Sequence, residues 1–167
     1  MTQSILTWLV GWPPEFTTAI LAMMPVTELQ AAIPVARTVF GLSIPASIFY
    51  AYIGNAVPAV LILAFLPRIV EFVEQHLPRL RAWTKQRFHG KEDAFRKTYA
   101  RYGAFALFLY VAIPTPFSGV WSGSILAVLF HIPLRYAVPA IFFGMLSTAV
   151  IVTLAVEGVL GFSTWLT

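Results

Sequence analysis

Glu28 is the one acid between two apolar stretches, residues 16–27 and 29–36, and Arg37 follows it. A carboxylate at membrane depth is costly and is usually kept for handling ions or substrate. There it would bind and release a proton or a cation. The competing role is a cap on a helix N-terminus, for which Thr27-Glu28 is well suited. A second chemical feature lies in residues 102–134, a stretch without Asp, Glu, Lys or Arg. It contains Ile113-Pro114-Thr115-Pro116-Phe117-Ser118-Gly119-Val120-Trp121-Ser122-Gly123. Two prolines and two glycines free backbone amides there. Amides at the positive end of a half-helix form an anion site.

Arg37 and Arg101 are the candidate cations, since arginine grips phosphate through two parallel hydrogen bonds. Arg101 would otherwise anchor the cytoplasmic interface. Arg37 would otherwise pair with Glu28 or reach toward the outer surface. The candidate binding set is Glu28, Pro34, Arg37, Arg101, Pro114, Pro116, Ser118, Gly119, Trp121 and Gly123. Trp121 faces either a cavity or lipid. Asn55, also at depth, is expected to bond a neighbouring helix rather than a ligand. No catalytic grouping is present. His76, His89 and His131 lack metal-ligand spacing, and there is neither a P-loop nor a Gly-x-Ser-x-Gly elbow. An enzyme, a bound cofactor and a metal centre are not expected.

The elements that hold these residues follow from composition. The chain has 167 residues, 59% apolar and 11% charged, with mean hydropathy +0.79. Soluble domains carry about 25% charged residues, so an all-α integral membrane protein is expected. Cysteine is absent, which excludes disulfides and thiol chemistry. Residues 1–12 have no basic region or small-residue cleavage site and do not read as a secretory signal. Nine of the 11 basic residues fall in residues 68–101, against four acids, a net charge of +5. A basic loop between membrane segments stays cytoplasmic. Its apolar flanks argue against nucleic-acid binding.

Residues 16–27 and 29–36 are each too short to cross the hydrocarbon core, which needs about 20 residues. They read as a re-entrant hairpin broken at Pro25, Glu28 and Pro34. A full span follows over about residues 46–66. Residues 68–83 read as an amphipathic surface helix broken near Pro78, and residues 92–101 as a short polar helix. Residues 102–111 and 120–130 form the second hairpin, and residues 133–156 the second span. The expected organisation is one membrane domain. A first repeat covers residues 13–66, a cytoplasmic amphipathic basic linker residues 67–101, and a second repeat residues 102–157. An offset of 88 aligns Pro45 with Pro133 and Glu28 with Pro116. With the linker cytoplasmic, the repeats are inverted and the site lies at their join.

Glu28-Leu29-Gln30-Ala31-Ala32-Ile33-Pro34 resembles the E-L-R-G-A-I-P segment of the small multidrug export protein family. Arg101-Tyr102-Gly103 and Ala112 through Gly123 resemble its R-Y-G and A-I-P-x-P-x-T-G-x-W-x-G motifs. The resemblance covers about residues 25–156. It departs at Gln30 and Ala31, where the family has Arg and Gly. The family is similar to the DedA and VTT membrane proteins. That likeness implies opposed re-entrant hairpins and movement of phosphate-bearing lipids such as the undecaprenyl phosphate carrier.

The first expectation is therefore a secondary transporter or flippase of the bacterial or archaeal cell membrane. Its partners would be membrane lipids, an anionic lipid head group or small-molecule substrate, and protons or another coupling ion. A homo-oligomer is expected and nucleic acid is not. Glu28 would carry protons, Arg37 and Arg101 would attract phosphate, and the tip at residues 114–123 would supply amides. The alternatives are efflux of cationic drugs, with Glu28 binding cation and proton in competition, and a non-transporting scaffold whose basic segment binds anionic lipid.

Overall fold

In a computed structural model, which describes residues 11–76, 93–115 and 118–166, all regular structure is helical. Six helices follow in order: α1 (Pro14–Met23), α2 (Glu28–Thr38), α3 (Ile44–His76), α4 (Asp93–Ala112), α5 (Val120–Leu129) and α6 (Leu134–Leu166). Pro14 starts α1 in the first turn, where its missing N–H costs nothing. Two stretches are long and apolar enough to cross a membrane, Ile44–Phe72 and Leu134–Phe162. Tyr102–Ala112 and Val120–Leu129 are shorter apolar helices.

Each half ends in a helix of 33 residues, preceded by helices of 10 and 11 residues in the first half and of 20 and 10 in the second, and the two long helices match at a spacing of 90 residues. The buried positions Ser47, Ala51, Gly54, Asn55, Ala59 and Leu63 of α3 correspond to the buried positions Ala137, Ile141, Gly144, Met145, Ala149 and Thr153 of α6. A Cβ on Gly54 would strike the backbone of Ala19 in α1, and one on Gly144 would lie 3.1 Å from the Phe108 carbonyl oxygen in α4. Each long helix thus has a glycine where the first helix of its half packs tightly against it. The second short helices also stop alike. Gly41 and His131 both adopt positive φ, 64° and 53°. Beside them the Leu42 and Ile132 N–H groups donate back to the carbonyls of Ala36 and Ala127, each at 2.9 Å. Such left-handed C-terminal turns satisfy carbonyls the helix leaves open.

The halves are interlaced. α1 packs on α3 and α4 on α6, while α2 also packs on α6 and α5 on α3. One core cluster joins Ala59 and Leu63 of α3 to Leu107, Val111, Val120, Ala127, Ile141 and Met145. The other joins Ala22, Leu29, Ala32 and Ile33 to Ala51, Ala149 and Val152.

Several expectations are corrected. Pro34 does not break the first hairpin; it lies inside α2, and the break is the turn between Met23 and Glu28. Pro67 does not end the first span, because α3 runs through it to His76. Residues 93–101 and 102–112 form one helix, not two. Glu157 lies within α6 rather than at the start of a tail. The two prolines share a physical reason. Away from water a helix is the backbone's way to satisfy itself, so apolar segments absorb a proline rather than stop at it. The offset of 88 aligns prolines, whereas burial matches at 90 along the two long helices and at 91 along α2 and α5, where Leu29, Ala32, Ile33 and Ala36 correspond to Val120, Gly123, Ser124 and Ala127. Of the expected amphipathic linker, residues 67–76 and 93–101 are helical, and residues 77–92, with the expected break near Pro78, lie outside the described residues.

Candidate functional site

The two breaks meet. The α1–α2 turn is tightened by Thr27, whose hydroxyl donates to the Leu21 carbonyl. The Glu28 N–H donates to the Met24 carbonyl at 3.0 Å. Glu28 itself takes φ 43°, in the left-handed region. That conformation is rare and costly for a residue with a side chain. The Glu28 carboxylate reaches across 92 residues of sequence to the start of α5. There it accepts hydrogen bonds from the Val120 N–H at 3.0 Å and the Trp121 N–H at 3.4 Å. Gly119 makes the approach possible, since a Cβ there would collide with the carboxylate. Glu28 is 6% exposed and is the one buried charged side chain among the described residues.

The contact is doubled from the other side. The Trp121 indole N–H donates to the Met23 carbonyl at 3.0 Å. Each break therefore satisfies polar groups freed by the other. Ser118 braces the second break. Its hydroxyl donates toward the carbonyls of Ile113 at 2.8 Å and Thr115 at 2.9 Å, and lies 2.6 Å from the Thr115 hydroxyl. Gly123 faces Val111, whose Cγ2 would lie 2.6 Å from an added Cβ. Pro114 sits in the turn between α4 and α5.

The structure thus gathers Glu28, Ser118, Gly119 and Trp121 at one place, with Gly123 one turn further on. Arg37 lies elsewhere. It is nine residues along α2 from Glu28, about 13 Å at helical rise, so it does not pair with Glu28. Its Nε donates to the Glu157 carboxylate of α6 at 2.6 Å, and its guanidinium also donates to the Leu42 carbonyl. Arg101 lies on α4 about 16 Å from the break at the end of that helix. Pro34, inside α2, is half-buried. Pro116 is outside the described residues. Glu28 does cap a helix, but that helix is α5, because Thr27 holds the N-cap position of α2 and makes no capping bond. Of the amides expected to hold a phosphate, those of Val120 and Trp121 are already given to Glu28.

Sequence reading passed over Ser124 and the role of Glu157. It expected Asn55 to bond a neighbouring helix, yet both of its side-chain amide atoms are buried without a partner. Among the described residues no group of three or more His, Asp or Glu could hold a metal ion.

The profile of the family described as "Putative small multi-drug export protein" matches residues 28–151. The chain belongs to this family. The match opens at Glu28, just after the first break, and takes in the second, so Glu28, Ser118, Gly119, Trp121 and Gly123 all fall within the matched region. The family description names a transporter, and the two long apolar helices accord with a membrane protein. Comparison with curated proteins and with solved structures gives no match.

Proposed function

We propose that the protein exports lipophilic cations in exchange for protons, with Glu28 holding the proton and the cation in alternation. One observation carries this reading: a single buried carboxylate sits where the two helix breaks meet. Ionisable groups buried in membrane domains mark ion and substrate paths. Broken helices at the join of two halves are where secondary transporters bind.

The geometry favours this reading over movement of phosphate-bearing lipid. A phosphate needs free donors. The Val120 and Trp121 amides are occupied by Glu28, and Arg37 is engaged by Glu157. What remains at the join is a negative group, which suits a cation or a proton. An inverted relation between the halves, re-entrant hairpins and a cytoplasmic placement of residues 68–101 belong to this reading. They are supported by the shared burial register, the short apolar stretches α1, α2, Tyr102–Ala112 and α5, and the basic charge of that segment.

The test is purified protein in liposomes with an imposed pH gradient, assayed in parallel for ethidium and for a fluorescent polyprenyl phosphate. Wild type is expected to move ethidium, and Glu28→Gln to stop responding to the gradient. Movement of the lipid alone would overturn the reading and restore the flippase expectation.

A further inference from the structure

Asn55 of α3 and Ser124 of α5 have fully buried side-chain polar atoms that no hydrogen bond satisfies. Such groups are rare in folded proteins and each calls for a reason. The internal correspondence tests whether packing supplies it. At the spacing of 90, Asn55 answers to Met145. At 91, the register of the second short helices, Ser124 answers to Ile33. Met145 and Ile33 are both fully buried and apolar. At each corresponding position an apolar side chain fills the space, so packing alone does not require an amide at residue 55 or a hydroxyl at residue 124.

Ser124 lies close to the gathered site, and Asn55 lies on the helix that packs against α5. Ser124 is one helical turn beyond Val120 on the same face of α5, roughly 6 Å along the axis, and the Val120 amide holds Glu28. Asn55 is one turn from Ala51, a member of one core cluster, and one turn from Ala59, a member of the other. It stands where the two clusters adjoin. α3 and α5 pack on each other.

The unsatisfied atoms select their ligand. Asn55 offers two donors and an acceptor, and Ser124 offers one of each kind. A bare cation would satisfy the oxygens and leave the Asn55 amide hydrogens unpaired. An anion would do the opposite. A neutral group with both donor and acceptor character satisfies all of them. Resting on the cation-export reading above, we infer that Asn55 and Ser124 form a neutral hydrogen-bonding subsite beside Glu28. The transported molecule is then a lipophilic cation bearing an amine, amide or hydroxyl about one helical turn from its charge.

The test compares two cations in the same proteoliposomes. Ethidium carries ring amines, and tetraphenylphosphonium has no hydrogen-bonding group. Asn55→Met installs the residue of the other half, and Ser124→Ala removes the hydroxyl with little change in volume. Each variant is expected to slow ethidium about tenfold, because a site built to hydrogen-bond loses most when that bond is removed. Tetraphenylphosphonium transport is expected to stay within about twofold of wild type, which also reports that the variant is folded. An unchanged ratio between the two probes, whether both persist or both fall, would overturn the inference. A wild type that moves neither probe would instead sink the export reading on which the inference rests.

Discussion

Holding Glu28 at positive φ costs about 1–3 kcal/mol, and two amide hydrogen bonds to its carboxylate offset that cost. The two effects separate by substitution. Glu28→Ala loses the bonds and keeps the backbone cost. Glu28→Gly loses the bonds but adopts positive φ freely. Thermal unfolding in detergent should therefore place Glu28→Gly above Glu28→Ala in Tm, with Glu28→Ala lower than wild type by the equivalent of about 1–2 kcal/mol for a lost helix cap. The reverse order would mean that the left-handed conformation is not strained. Gly119 is bound to the same event. Gly119→Ala forces the carboxylate off the α5 amides, so its effect should largely vanish in a Glu28→Ala background. Additive losses would remove the steric link between the two residues.

Among elements, the close approaches differ in what can yield. At Gly54 the obstacle is the Ala19 backbone, which cannot move without its helix. Gly158, in the same class of apolar helix, has nothing within 4 Å of an added Cβ. Gly54→Ala should sharply lower Tm or yield, whereas Gly158→Ala should be neutral or stabilising by up to about 1 kcal/mol from helix propensity. Equal behaviour of the two variants would argue against the tight α1–α3 packing. The Arg37–Glu157 pair joins α2 to α6, with side chains 19% and 32% exposed. Either single neutralisation should lower Tm, and the exchange Arg37→Glu with Glu157→Arg should recover part of it. No recovery would show that the pairing does not hold these helices together.

The short apolar lengths made the two breaks and the two long helices legible in the sequence. Their boundaries were less so, because proline's local cost at Pro34 and Pro67 is outweighed by the backbone's need for internal hydrogen bonds. Glu28 was legible as a lone acid among apolar neighbours. Its partners were not, since Val120 lies 92 residues away and nothing local marks an amide as the acceptor's mate. Arg37 and Glu157 are separated by 120 residues, and only the fold brings their charges together.

For the whole molecule, the surface carries large apolar side chains along both long helices, among them Phe49, Phe65, Phe72, Phe143, Leu154 and Phe162. Apolar surface on this scale marks contact with lipid or with partners. The protein should sediment with membranes and resist alkaline carbonate washing. Release into the wash would refute the membrane assignment.

The interlacing of halves has a consequence during synthesis. When α2 leaves the ribosome, neither α6 nor the α5 amides that receive the Glu28 carboxylate yet exist. At about 5–20 residues per second, the 92 residues separating Glu28 from Val120 take roughly 5–20 s to translate. For that interval the nascent first half carries an uncapped acid. Until then its partners must be other than the amides it meets in the folded protein.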